Sequence, residues 1–142
     1  MPRLAAAIAA TVYIASPLLA ELVTQWVASG LFERIVAWKR DETRERQAQA
    51  RAALADFGYA PHAASQHGWL ALPPGFEAAS FVARAAEHGV LLPPGENFIV
   101  GARAAPAVRV VVGSVPTRAT LARALATIVD LLRRGPQDGG VF

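Results

Sequence analysis

Twice in its second half the chain reads Pro-Pro-Gly, at Pro73-Pro74-Gly75 and at Pro93-Pro94-Gly95. Proline lacks the amide proton that a helix interior or a central strand must donate, and glycine takes up turn conformations without steric cost. The elements beside these triplets must therefore be short. Residues 68–72 form an apolar run that the first triplet closes, and they read as a strand. Residues 76–88 read as a helix with Phe81, Val82 and Ala85 inward and Gly89 as its stop. Residues 90–92 and 98–100 predict two strands around the second triplet, and 107–112 predicts another. Thr117 then caps an amphipathic helix whose Leu121, Leu125, Ile128, Val129 and Leu132 share a face, with Gly135 ending it.

Upstream of Gly58 the period is helical instead. Residues 4–15 are an alanine-rich apolar run. Ser16 and Pro17 stand as N-cap and first residue of a second helix, on which Leu18, Leu22 and Trp26, with Leu19, Val23 and Val27, predict a broad buried stripe ended by Gly30. A long helix over 31–57 follows, apolar at its start and polar from Lys39 to Arg51. Glu42 with Arg46, and Asp41 with Arg44, have the spacing of an exposed, solvated helix. The division expected is an apolar helical segment over 1–30, a connecting helix over 31–58, an α+β domain over 59–135 and a frayed tail over 136–142. The fold class expected is α+β: a small, mainly antiparallel sheet of three to four strands with helices on one face, behind a long helical N-terminal segment.

Composition narrows the chemistry. A 54% hydrophobic share with 18% charged residues marks a globular chain. Cysteine is absent, which removes disulfides, thiol nucleophiles and thiolate-ligated metals. Thirteen of the fourteen cationic residues are arginine, scattered along the chain, so neither a nucleic-acid stripe nor direct nucleic-acid binding is expected. Pro17, Glu21 and Gln25 interrupt the N-terminal apolar run before it reaches the roughly 20 residues of a membrane span. That segment is read as a helix of the fold rather than a secretion signal, and the chain as cytoplasmic.

Arg109 is the exception to an otherwise orderly pattern. It interrupts a valine run in which Val108, Val110 and Val112 point one way and Arg109 points the other. A guanidinium cannot shed its charge, so on a covered face it needs an anion, and a carboxylate best matches its planar fork. Pattern alone leaves two further readings open: an edge-strand arginine reaching to water, or one paired with a structural acid. His67, ahead of the strand that carries Trp69, has the side chain of a general base but the setting of a structural residue. No serine sits in a nucleophile elbow, no carboxylate pair has catalytic spacing, no histidine–carboxylate cluster suits a metal, and no glycine-rich phosphate loop is present.

The segments Ala15-Ser-Pro-Leu-Leu-Ala-Glu-Leu-Val with Trp26, Ile35-Val-Ala-Trp-Lys-Arg, Arg46-Gln47, His67-Gly-Trp-Leu-Ala-Leu-Pro, His88-Gly-Val-Leu-Leu-Pro-Pro-Gly with Phe98, and Val108-Arg-Val resemble, in that order, the end of fold-type-I aminotransferases that use pyridoxal phosphate (PLP). The nearest resemblance is to the aminotransferase-like half of GntR-type transcriptional regulators, the MocR subfamily. It covers nearly the whole chain, from about Leu4 to Arg134. It implies a small-domain fold and a grip by Arg109 on the α-carboxylate of an amino-acid substrate. It also implies that residues 93–98 form a loop near the mouth of the site.

The departures from that family are equally specific. Its Schiff-base lysine follows a Ser-x-x-Lys pattern that this chain lacks, and Lys39, the single lysine, lies in a charged helix between Trp38 and Arg40. The phosphate-binding loop and the aspartate that pairs with the pyridine nitrogen are missing as well. The resemblance therefore implies PLP in a complete parent protein but none on this chain alone, and no transamination by this chain alone. The partners implied are the missing large domain or a full-length relative, and a second copy joined through exposed apolar helices. A free-standing, non-catalytic interaction module is the alternative.

Overall fold

A computed structural model of the chain describes residues 16–62, 65–101 and 105–136, with Leu4, Ala6, Ala7 and Ala10 before them. Two compact units, Met1–Lys39 and Arg40–Phe142, divide it. Most of the helix expected over 4–15, and residues 137–142 of the expected tail, lie outside the described residues.

In the first unit, helix α1 (Pro17–Ala28) starts with Pro17 in its first turn. The N-cap Ser16 takes part through its carbonyl, which accepts from the Ala20 N–H at 3.0 Å, while its hydroxyl makes no capping bond. The stripe expected to be buried is not: no residue of α1 is buried, and Leu18 is 77% exposed. An apolar stripe is buried only where another element covers it, and among the described residues none does.

Helix α2 (Leu31–Ala53) continues into the second unit and ends earlier than residue 57, passing into turn at buried Leu54. Its polar middle is not the solvated surface that its ion-pair spacing predicts. Thr43, Arg46, Gln47 and Ala50 recur at helical spacing and are buried. Arg46 donates from Nη1 to the carbonyls of Val112 (3.0 Å) and Val115 (2.7 Å), and from Nη2 to that of Pro116 (3.4 Å). Gln47 donates to the carbonyls of Ser65 (2.7 Å) and His67 (3.3 Å) and accepts from the Tyr59 hydroxyl at 2.9 Å. These carbonyls belong to strand ends and loops, where no ladder satisfies them, so the helix supplies the donors.

Those loops flank a three-stranded antiparallel sheet of β1 (Tyr59–Pro61), β2 (His67–Ala71) and β3 (Ala107–Val111), in that order. The register sets Trp69 between Ala60 and Arg109, and Leu70 between Tyr59 and Val108. Period-two alternation divides the sheet into two faces. Leu70, Val108 and Val110 are buried with Phe81 and Ala85 of α3 (Ala78–Glu87) and Leu125 and Ile128 of α4 (Arg118–Arg133). His67, Trp69, Ala107, Arg109 and Val111 point to the other face. The fold is thus α+β with helices on one face, as expected. At Gly68 a side chain has no room, since a Cβ there would lie 2.3 Å from the Tyr59 hydroxyl.

Two expected strands do not form. Residues 90–92 and 98–100 lie outside the sheet, and residues 95–98 make a 3₁₀ turn (Gly95–Phe98). Pro93 and Pro94 bring no N–H to a ladder, so the main chain of the segment pairs with β3 through the Arg109 N–H bonded to the Pro93 carbonyl (3.0 Å) and a single bridge between Pro94 and Val108. The Thr117 cap forms as expected, accepting from the Thr120 N–H at 3.0 Å.

Two outcomes follow for stability. Gln47→Ala strands the Tyr59 hydroxyl and two carbonyls, and should cost about 1–3 kcal/mol in urea unfolding. Glu42 accepts from Arg118 and from Arg46, and these bonds, Arg118's first, hold its carboxyl down from 4.5 to about 2. A depressed carboxylate stabilises the fold fully above 4.5, and that contribution is lost as the pH falls towards 2. The stability gap between the native chain and Glu42→Gln, measured by thermal unfolding, should therefore close between pH 5 and pH 2.

Candidate functional site

Strand parity puts Arg109 on the face that the helices leave uncovered. Its neighbours there come from two sources. The antiparallel register brings Trp69 beside it from β2, and the 3₁₀ turn brings Phe98 against it from the Pro-Pro-Gly segment. The guanidinium carbon lies 4.1 Å from the centroid of the Phe98 ring, a cation–π contact. Phe98 and Trp69 meet edge to face, with centroids 5.5 Å apart and planes at 73°. Arg109, Phe98 and Trp69 thus form one linked cluster.

The turn that delivers Phe98 is fixed by its first residue. A Cβ on Gly95 would lie 2.8 Å from the Ala107 carbonyl oxygen, so only glycine lets the turn press this closely on β3. Against the cluster lies a pocket of about 210 Å³, lined by Trp69, Gly95, Phe98, Ile99, Ala105 and Ala107.

The electrostatics of Arg109 are incomplete. Its Nε is buried and has no hydrogen-bond partner, and none of the ion pairs among the described residues involves it. The aromatic ring answers the charge but supplies no acceptor for an N–H. A buried donor without an acceptor costs about 1–3 kcal/mol. By contrast, Arg46 spends its donors on Glu42 and on main-chain carbonyls within the fold. Of these two arginines, Arg109 is the one whose geometry is open to an external anion.

The other residues considered from sequence fall elsewhere. His67 heads β2 on the same face and is exposed. Its main chain is what the fold holds, the N–H donating to the Ser65 hydroxyl and the carbonyl accepting from Gln47. Lys39 is exposed on α2, in the first unit. Residues 93–98 do approach Arg109, through Phe98. Sequence reasoning did not single out Trp69 and Phe98 as site residues. For Trp69 the signal was its parity with Arg109 on the open face. For Phe98 the signal was its place in the 93–98 loop that the resemblance sets near the mouth of the site. Among the described residues no group of three or more potential ligands gathers for a metal ion, and no helix is long and apolar enough to cross a membrane.

Comparison with known proteins gives likeness of structure only. No protein-family model matches the chain, and no curated protein does. An archaeal alanine:glyoxylate aminotransferase superposes with a TM-score of 0.67 at 20% identity, over 78% of this chain and 29% of that one. The α-aminoadipate aminotransferase LysN from Thermus thermophilus, solved with N-(5′-phosphopyridoxyl)-L-leucine, superposes at 0.68 with 21% identity, over 82% of this chain and 30% of that one. The chain has the fold of a segment of an aminotransferase, and it spans less than a third of the length of either enzyme.

Proposed function

We propose that this chain is the carboxylate-recognising segment of a PLP-dependent aminotransferase-like protein, an amino-acid transaminase or a GntR/MocR-type regulator, in which Arg109 grips the substrate's α-carboxylate. One observation carries the reading: on an aminotransferase fold, an arginine stands on the open face of the sheet with no ion-pair partner among the described residues. A carboxylate arriving at the guanidinium supplies a counter-charge and a charge-assisted bond together.

The residues around the site do not fit the cofactor itself. Trp69, Gly95, Phe98, Ile99, Ala105 and Ala107 offer no amine for the PLP aldehyde and no carboxylate for its ring nitrogen. Lys39, exposed in a polar stretch of helix, lacks the desolvated setting that makes a lysine a nucleophile near neutral pH. On this reading the cofactor and its lysine come from structure outside these residues, and this chain contributes binding and orientation of the substrate's acid group.

A second reading, a non-catalytic module that pairs with a copy of itself or with a full-length relative, draws support from α1, where Leu18, Leu19, Leu22, Val23 and Val27 are all at least 40% exposed. It predicts a concentration-dependent dimer by light scattering that Leu22→Glu with Val23→Glu disperses. A monomer across the whole concentration range would count against it.

The principal reading is tested with ¹⁵N-labelled chain titrated with acetate and with acetamide. Acetate should shift the amides of Trp69 and residues 108–110 saturably and acetamide should not. Arg109→Gln should abolish the response while leaving the thermal midpoint within a few degrees. Equal loss of stability and binding in that variant would make Arg109 a structural residue.

A further inference from the structure

The pocket of about 210 Å³ shares two of its walls with Arg109's own surroundings. Phe98 is both a pocket wall and the ring over which the guanidinium lies, and Trp69 is both a wall and the cross-strand neighbour of Arg109. A ligand whose carboxylate is held at Arg109 therefore has its next carbons beside this pocket. Resting on the reading of Arg109 as a carboxylate anchor, we infer that the Trp69–Phe98–Ile99 pocket receives the side chain of the same ligand and selects one that is apolar: aromatic or branched aliphatic, with no second acid group.

Size and chemistry both point this way. An apolar protein cavity of about 150 Å³ is enough to bind benzene, so this pocket can admit an aryl ring or a leucine-sized group. Among the described residues its lining, Trp69, Gly95, Phe98, Ile99, Ala105 and Ala107, carries no cation that could answer a second carboxylate. Glu96, on the same turn as Phe98, would repel one. Bringing an unpaired carboxylate into apolar surroundings is costly, whereas an apolar group gains by leaving water. The edge-to-face pair of Trp69 and Phe98 also presents ring surface against which an aryl group can pack.

The test titrates the ¹⁵N-labelled 142-residue chain with acetate, 3-phenylpropionate, 4-methylpentanoate and glutarate, following the amides of Trp69, Ile99 and Arg109. The two acids with apolar side chains should bind about tenfold or more tighter than acetate, with shifts spreading to Ile99, and glutarate no tighter than acetate. In Ile99→Asp the ratio of 3-phenylpropionate to acetate affinity should fall towards one. Equal affinities for acetate and 3-phenylpropionate, both still abolished by Arg109→Gln, would overturn the pocket inference and leave the carboxylate anchor standing. Absence of any Arg109-dependent binding of all four acids would overturn both.

Discussion

The second unit depends on what the sheet does at its ends. A three-stranded sheet of three- and five-residue strands has few ladder bonds and many strand-end carbonyls, and these cannot be buried unpaired. Arg46 and Gln47 settle that problem from the helix side. Between them they reach the carbonyls of Ser65 and His67 at the start of β2, and those of Val112, Val115 and Pro116 beyond β3. Glu42 then balances the charge of Arg46 and ties in Arg118 at the start of α4. Two adjacent side chains thereby hold both long strands and the entry to the last helix in place. Apolar packing acts with them, since a one-residue slip of β3 would turn Arg109 to the helix-covered face and Val108 and Val110 away from it.

Once register is set, the site follows from parity. With Gly68 and Leu70 turned towards the helices, Trp69 must turn away, and the pairing of Trp69 with Arg109 puts the guanidinium beside the indole. The helix-covered face has no room for a charge, because Val108 is fully buried and Val110 nearly so. The open face does have room, and Gly95 lets the 3₁₀ turn bring Phe98 down onto it. The structural demand on β3 and the functional demand on Arg109 are met by alternate residues of one strand and do not compete.

The same distinction explains what could be read in the sequence. Apolar period and turn chemistry are local, so the last helix with its Thr117 cap, the strand around Trp69 and the isolation of Arg109 among valines were all legible. The polar middle of α2 was misread because i,i+4 charge pairs look the same whether the helix faces water or donates to distant carbonyls. The carbonyl partners of Arg46 lie 66 to 70 residues away, beyond any local window. The strands expected at 90–92 and 98–100 failed for a related reason. Their apolar composition was right, but the prolines between them withhold the amide protons that pairing requires. Phe98's contact with Arg109 depended on the path of that failed hairpin, and no spacing rule reaches it.

An arginine that must bind an external acid faces a dilemma that the cluster on the open face resolves. A structural Asp or Glu would hold it in place but would also occupy the fork, and a ligand would first have to displace a charge-assisted pair. Left wholly to water, the side chain would keep its rotamer freedom and lose that entropy on every binding event. The ring of Phe98 offers a third way. A cation–π contact is worth about 0.5–2 kcal/mol, enough to favour one placement of the guanidinium, and it consumes no hydrogen-bond donor. The charge is left without an acid partner among the described residues, and an arriving carboxylate supplies one. That unanswered charge becomes a preference for an anion, and the aromatic wall that positions the cation also gives that anion's side chain an apolar surface to meet.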